Sequence, residues 1–170
     1  MKKWLLFLLV IGCFAGNMDL WAKNNHSKDF KRKMIKDKKQ AQTMLQWYTN
    51  IDAAIADASA NNRQILLVIS GSDWCPPCKK LEKQVLSHKD FKKIASQSLV
   101  LVKADFPRKA QKPEIKKQAQ EVVRRYPYDG FPTVYLLGPD GKVLDKKVGF
   151  ADESVKSFLK KFKGYKAPEK

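Results

Sequence analysis

Ile65-Leu66-Leu67-Val68-Ile69 is a continuous apolar run of strand length. A strand with one wet face alternates apolar and polar residues, whereas an unbroken run must be covered on both sides. The chain therefore needs a sheet with helices on each face. Residues 45–48 predict a short first strand. Thr49 or Asn50 then caps a helix from about Ile51 to Ala60, ended by Asn61-Asn62. Ser70-Gly71-Ser72-Asp73 leaves the central strand. From Pro76 the pattern is helical, with Leu81, Val85 and Leu86 on one face, and Asp90 begins a further turn through Phe91 and Ile94. Residues 99–102 predict a second buried strand and residues 106–112 a polar loop. Pro113 fits the first turn of a helix running to about Tyr126. Residues 133–137 predict a third strand, Gly138-Pro139-Asp140-Gly141 a hairpin turn, and residues 142–148 the antiparallel return. Asp152 caps a last helix with Val155, Phe158, Leu159 and Phe162 inward. The order β-α-β-α-β-α-β-β-α predicts an α/β fold, a mixed sheet sandwiched by helices.

The 170 residues are 44% hydrophobic and 11% aromatic, which excludes wholesale disorder and leaves room for one domain with tails. Lys plus Arg number 34 against 17 acidic residues, a formal net charge of +17. That balance raises nucleic acid, anionic membranes and acidic partners as candidates. The N-terminus narrows them. Lys2 and Lys3 precede an apolar stretch, Trp4 through Ile11, that suits a secretory segment and is short of the roughly 20 residues of a spanning helix. Residues 1–22 are expected to be a signal peptide cleaved near Ala22 or nearer Ala15. A lipoprotein box at Val10-Ile11-Gly12-Cys13 and an uncleaved anchor are the alternatives. Export, and the lack of a binding motif, argue against nucleic acid. Residues 23–43 follow as a basic linker or frayed helix, with eight Lys/Arg between Lys23 and Lys39. This arm is also the candidate for weak contact with a membrane surface.

Loss of residues 1–22 removes Cys13 and leaves only Cys75 and Cys78. A pair this closely spaced closes too short a loop to staple a fold, so it is expected to do chemistry. It lies where a buried strand passes into a helix. Cys75 falls at the helix N-terminus, where backbone N–H groups and the helix dipole favour a thiolate. Cys78, one turn on, is placed to reach back and resolve a mixed disulfide. His26 and His88 are the only histidines and neither has ligand spacing to the pair, so no metal and no cofactor are expected. His88 reads as a surface residue at a helix end and Trp47 as core packing.

Trp74-Cys75-Pro76-Pro77-Cys78-Lys79, with Gly130-Phe131-Pro132-Thr133, resembles the thioredoxin superfamily in its exported bacterial branch. Gly71-Ser72-Asp73 and Val102-Lys103-Ala104-Asp105-Phe106-Pro107 add to the likeness, which covers about residues 45–163. The resemblance implies a thioredoxin-like domain over residues 44–165, followed by a tail at 166–170. It implies Cys75 as attacking nucleophile and Cys78 as resolving thiol. Pro132 is implied as a cis proline facing the pair, and Trp74, Pro76, Phe131 and Pro132 as substrate-contacting residues. One position departs from the pattern. Many members carry a buried Asp six residues before the first cysteine, and here that position is Ile69, which leaves Lys103, Asp105 or water as candidate substitutes for the resolving thiol's proton acceptor.

The expected activity is a periplasmic thiol–disulfide oxidoreductase. Pro76 and Pro77 lack N–H groups, which weakens thiolate stabilisation and points toward a reductase. An oxidase or isomerase, or a non-catalytic client-binding module, are the alternatives. The expected partners are exported proteins with disulfides and, for a reductase, a membrane electron donor. A monomer is expected.

Overall fold

The computed structural model describes Arg32 and residues 45–168. The signal segment 1–22, the linker 23–43 apart from Arg32, and the last two residues of the tail lie outside the described residues. Contacts divide the chain into Met1–Gln42 and Thr43–Lys170, and the second unit is the folded domain described below.

Its elements are β1 (Trp47–Tyr48), α1 (Ile51–Ala60), β2 (Gln64–Ser70) and α2 (Pro76–Leu81), which runs into a π-helical turn (Glu82–Leu86). Then come α3 (Lys89–Ser98), β3 (Leu99–Asp105), α4 (Pro113–Arg125), β4 (Thr133–Leu137), β5 (Val143–Val148) and α5 (Val155–Lys160). The five strands lie in the order β1-β3-β2-β4-β5. β1, β3 and β2 are parallel, while β4 runs antiparallel to β2 and β5 to β4. This is the predicted mixed sheet.

The unbroken apolar run explains the layering. Leu66 and Val68 point to a core with Leu81, Val85, Phe91 and Phe158, from α2, the π-turn, α3 and α5. Ile65, Leu67 and Ile69 point to the opposite core with Ile51, Ala54, Ala119 and Val122, from α1 and α4. All seven residues of β2 are buried, so every side chain of the central strand serves one layer or the other. Phe91 is fully buried, and truncating it to Ala would cost about 3–5 kcal/mol.

Local signals set most boundaries. The Asn50 side chain accepts the Ala53 N–H at 3.0 Å and caps α1, a contact worth about 1 kcal/mol. Asn62 ends that helix with φ +48, a conformation asparagine tolerates. Three expectations change. The segment after Ser87 is a ten-residue helix rather than a turn, and His88 caps it by accepting the Asp90 N–H at its Nδ1. Strand β3 runs three residues further than predicted, to Asp105, in parallel register with Ser70. The last helix is capped by Ser154, which accepts the Ser157 N–H. Asp152 instead binds Lys80 on α2 and Gln84 on the π-turn.

Candidate active site

β2 ends at Ser70, and the next five residues turn into α2 under tight constraint. The Gly71 carbonyl accepts the N–H groups of Trp74 and Cys75 at 3.3 and 2.9 Å. A Cβ on Gly71 would lie 2.5 Å from the Trp74 indole, so only glycine lets that ring fold back over the turn. The Asp105 carboxylate, at the end of β3, accepts from both the backbone N–H and the hydroxyl of Ser72. Trp74 Nε1 donates to the Phe106 carbonyl at 2.8 Å. Asp73 accepts the N–H groups of Arg108 and Lys109, each at 3.0 Å. Those two backbone N–H groups hold its carboxyl below the usual carboxylate range. The loops after β2 and β3 are thereby fastened together at the C-terminal end of the parallel strands.

Cys75 is the N-cap of α2, and its Sγ is bonded to Sγ of Cys78, with the Cα atoms 5.3 Å apart. Cys75 Sγ also accepts the Cys78 N–H at 3.3 Å. Pro76 and Pro77 fill the first two helical positions, and the Lys79 N–H is already committed to the Cys75 carbonyl. The sulfur therefore has one backbone donor from the first turn, where an ordinary helix start offers up to three. Both cysteines are buried in the disulfide form.

The third part of the site arrives on β4. Ile69 at the end of β2 pairs with Thr133, which brings the preceding Phe131–Pro132 peptide beside the cysteine turn. That peptide is cis. The Pro132 carbonyl accepts the Gly149 N–H at 2.7 Å, and Thr133 Oγ1 donates to the Gly130 carbonyl. The Phe131 ring meets Trp74 edge-on with centroids 5.3 Å apart, so sequence-distant Trp74 and Phe131 do share one wall. Tyr128 at 4.8 Å from Phe131, and Phe106 stacked on Tyr128, extend that wall beyond the expected residues. The Arg108 guanidinium lies 5.3 Å from the Trp74 ring. The Tyr126-Pro127-Tyr128 run just ahead of Gly130-Phe131-Pro132 was the sequence signal for the extension.

Behind the disulfide lies a cleft of about 390 Å³ that Cys78 lines and Cys75 does not. Ser70, Ser72, Glu82 and Lys103 line it as well. Lys103 is paired with Glu82 at 2.9 Å, and Glu82 is a residue the sequence reading passed over although it sits one helical turn past Cys78. Ile69 is fully buried in the opposite core, so the position of the usual Asp carries only hydrocarbon.

Among the described residues no group of three or more His, Cys, Asp and Glu is placed to hold a metal ion. No described helix is long and apolar enough to cross a membrane.

Comparison with known proteins gives the same picture. A thioredoxin-like domain family matches residues 51–163. The chain is 29% identical over 164 residues, 96% of each protein, to a Chlamydia pneumoniae protein named disulfide bond reductase DsbH. A solved structure of a DsbH oxidoreductase aligns with a TM-score of 0.62 at 31% identity, over 68% of this chain and 81% of that one. A thioredoxin from Thermus thermophilus aligns at 0.51 and 26% identity, over 68% and 82% of the two chains. The sheet order, the paired cysteines at a helix start and these matches agree that this chain belongs to the thioredoxin-like family.

Proposed function

We propose that the protein is a thiol–disulfide oxidoreductase of the cell envelope that reduces disulfides in exported proteins through Cys75 and Cys78. The observation that carries this reading is the disulfide closing the first turn of α2, with Cys75 as its N-cap. In the reduced protein the Cys75 thiolate attacks a substrate disulfide and one substrate sulfur leaves as a thiol. Cys78 then attacks Cys75 Sγ, the second substrate thiol departs, and the Cys75–Cys78 disulfide forms. Trp74, Pro76, Phe131 and Pro132 form the surface on which the substrate backbone lies.

The reducing direction rests on the pair of prolines. With one N–H donor on Cys75 Sγ, the thiolate, and with it the dithiol form, is weakly stabilised. The name of the DsbH relative points the same way. Lys79 and Lys80 would favour the thiolate, but both are exposed and Lys80 is paired with Asp152.

Residues 1–22 as export signal, 23–43 as a basic arm, 44–165 as the catalytic domain of a monomer and 166–170 as a tail complete the reading. A reductase outside the cytosol draws its electrons from a membrane carrier. Dithiothreitol-driven reduction of insulin tests the activity. Catalysed precipitation of the insulin B chain supports it, and a rate equal to dithiothreitol alone rejects it.

A further inference from the structure

The attack of Cys78 on a mixed disulfide requires its S–H proton to go somewhere, and Ile69 closes the route that a buried Asp would have provided. Resting on the oxidoreductase reading above, we propose that Glu82 is the residue that takes the Cys78 proton, across the cleft the two share. Three observations support this.

The cleft is roomy, and serine, lysine and glutamate side chains line it beside Cys78. At about 390 Å³ it admits several water molecules, enough to carry a proton between side chains that line it. Glu82 is the one acidic residue lining it.

The Glu82 carboxylate is held in place. Oε2 accepts from Lys103 Nζ at 2.9 Å, and Oε1 accepts from the Ser87 hydroxyl at 2.9 Å. The π-helical turn makes the second contact. Its widened ring bonds the Ser87 N–H to the Glu82 carbonyl at 2.8 Å and so sets Ser87 over the carboxylate five residues earlier. A carboxylate has about four lone-pair sites, so two remain for water from the cleft.

The other nearby carboxylates do not line the cleft. Asp105 is bound by Ser72, Asp73 by the backbone of Arg108 and Lys109, and Asp152 by Lys80 and Gln84. The remaining charged groups at the cleft are the cations Lys79 from α2, Lys83 from the π-turn and Lys103 from β3.

The step balances as follows. With Cys75 Sγ bonded to the substrate sulfur, the Cys78 S–H proton passes through water to the Glu82 carboxylate. The Cys78 thiolate attacks Cys75 Sγ, the Cys75–Cys78 bond forms, and the bond from Cys75 to the substrate breaks. Its electron pair leaves on the substrate sulfur, which takes up one proton, returning Glu82 to the carboxylate. The substrate gains two electrons and the dithiol loses two. Glu82 acts through water on Cys78 and is a positioning residue for that proton.

The test is a single turnover of the reduced protein with an aromatic disulfide whose released thiolate is coloured. Attack by Cys75 releases the first thiolate and resolution by Cys78 the second, so one trace reports both steps. In Glu82→Gln, which keeps an acceptor for Lys103, the first phase should stay at the wild-type rate. The second should slow on the order of 10²-fold at neutral pH, the lower end of what a positioned general base contributes. It should recover as pH rises toward the ordinary thiol value of about 8.5, and Glu82→Asp should restore much of the rate. A Glu82→Gln second phase with wild-type rate and pH profile would overturn the proposal. If Glu82→Gln fails to fold, Ser87→Ala takes its place, with a slower second phase expected and an unchanged one contradictory. Failure of the wild-type protein to release two thiolates would instead reject the oxidoreductase reading itself.

Discussion

The two cysteines face different surroundings. Trp74, next to Cys75 in the chain, opens an aromatic wall in which it, Phe131, Tyr128 and Phe106 touch in sequence. On the side of Cys78 lies a cleft lined by Ser70, Ser72, Glu82 and Lys103. A disulfide is symmetric in its atoms, so its ends differ only through what surrounds them. The wall offers apolar surface to a polypeptide, and the cleft offers proton acceptors to a thiol. Under the proposed function, that difference gives capture of substrate to one end and release of product to the other.

Replacing each cysteine separately gives the largest effect. Cys75→Ser should abolish insulin reduction and form no mixed disulfide. Cys78→Ser should also lose turnover but accumulate mixed disulfides with envelope proteins, visible on non-reducing gels. Equal trapping by both variants would erase the asymmetry.

The wall alone is probed next. Tyr128 is exposed at its rim and touches both Phe131 and Phe106. Aromatic pairs of this kind are worth about 0.5–1.5 kcal/mol, so Tyr128→Ala should raise KM for a protein disulfide roughly 3- to 10-fold. Alkylation of Cys75 by a small reagent should keep its rate. An alkylation rate that falls as KM rises would mean that Tyr128 supports the cysteine turn rather than the substrate.

Much of this architecture is legible in the sequence, and the misses share a cause. Helix α1 and strand β4 match their predicted limits because Asn50, Asn61-Asn62 and the hairpin turn are local signals. The cysteine pair, Trp74 and the Phe131–Pro132 peptide are legible for the same reason, since contiguous motifs carry them. Helix α3 is mostly Lys, Ser and Gln with a histidine cap, and its inward residues are few, so the sequence pattern predicts only a turn there. Asp152 and Ser154 are both good capping residues. What decides between them is Lys80 and Gln84, some seventy positions away in the chain. The Glu82–Lys103 pair joins the π-turn to β3 across 21 positions of sequence. Those are tertiary facts with no local signature.

A smaller change acts between the two sides. Pro77→Ala restores an N–H in the first turn of α2. One added hydrogen bond to the Cys75 thiolate, worth about 1 kcal/mol, should raise the reduction potential by about 20 mV. An unchanged potential would show that the prolines do not govern thiolate stability.

The smallest effect concerns the fastening that holds the loops behind the wall. The Asp73 carboxyl is held below its ordinary value by the Arg108 and Lys109 N–H groups, so the ionised form is favoured in the folded protein. The contact is therefore complete above the ordinary carboxylate value of about 3.9 and is lost as pH falls through the lower folded-state value. The amide resonances of Arg108 and Lys109 should titrate only in that acid range. Titration at the ordinary value would mean that the contact contributes nothing.

The central claim is that this dithiol is a reductant. Equilibration of the Cys75–Cys78 pair with glutathione or thioredoxin, followed by quantitation of reduced and oxidised protein, gives its potential directly. One N–H donor at Cys75 Sγ predicts a value near that of thioredoxin, about −270 mV, whereas a value near about −120 mV, that of a strong oxidant, would contradict the account.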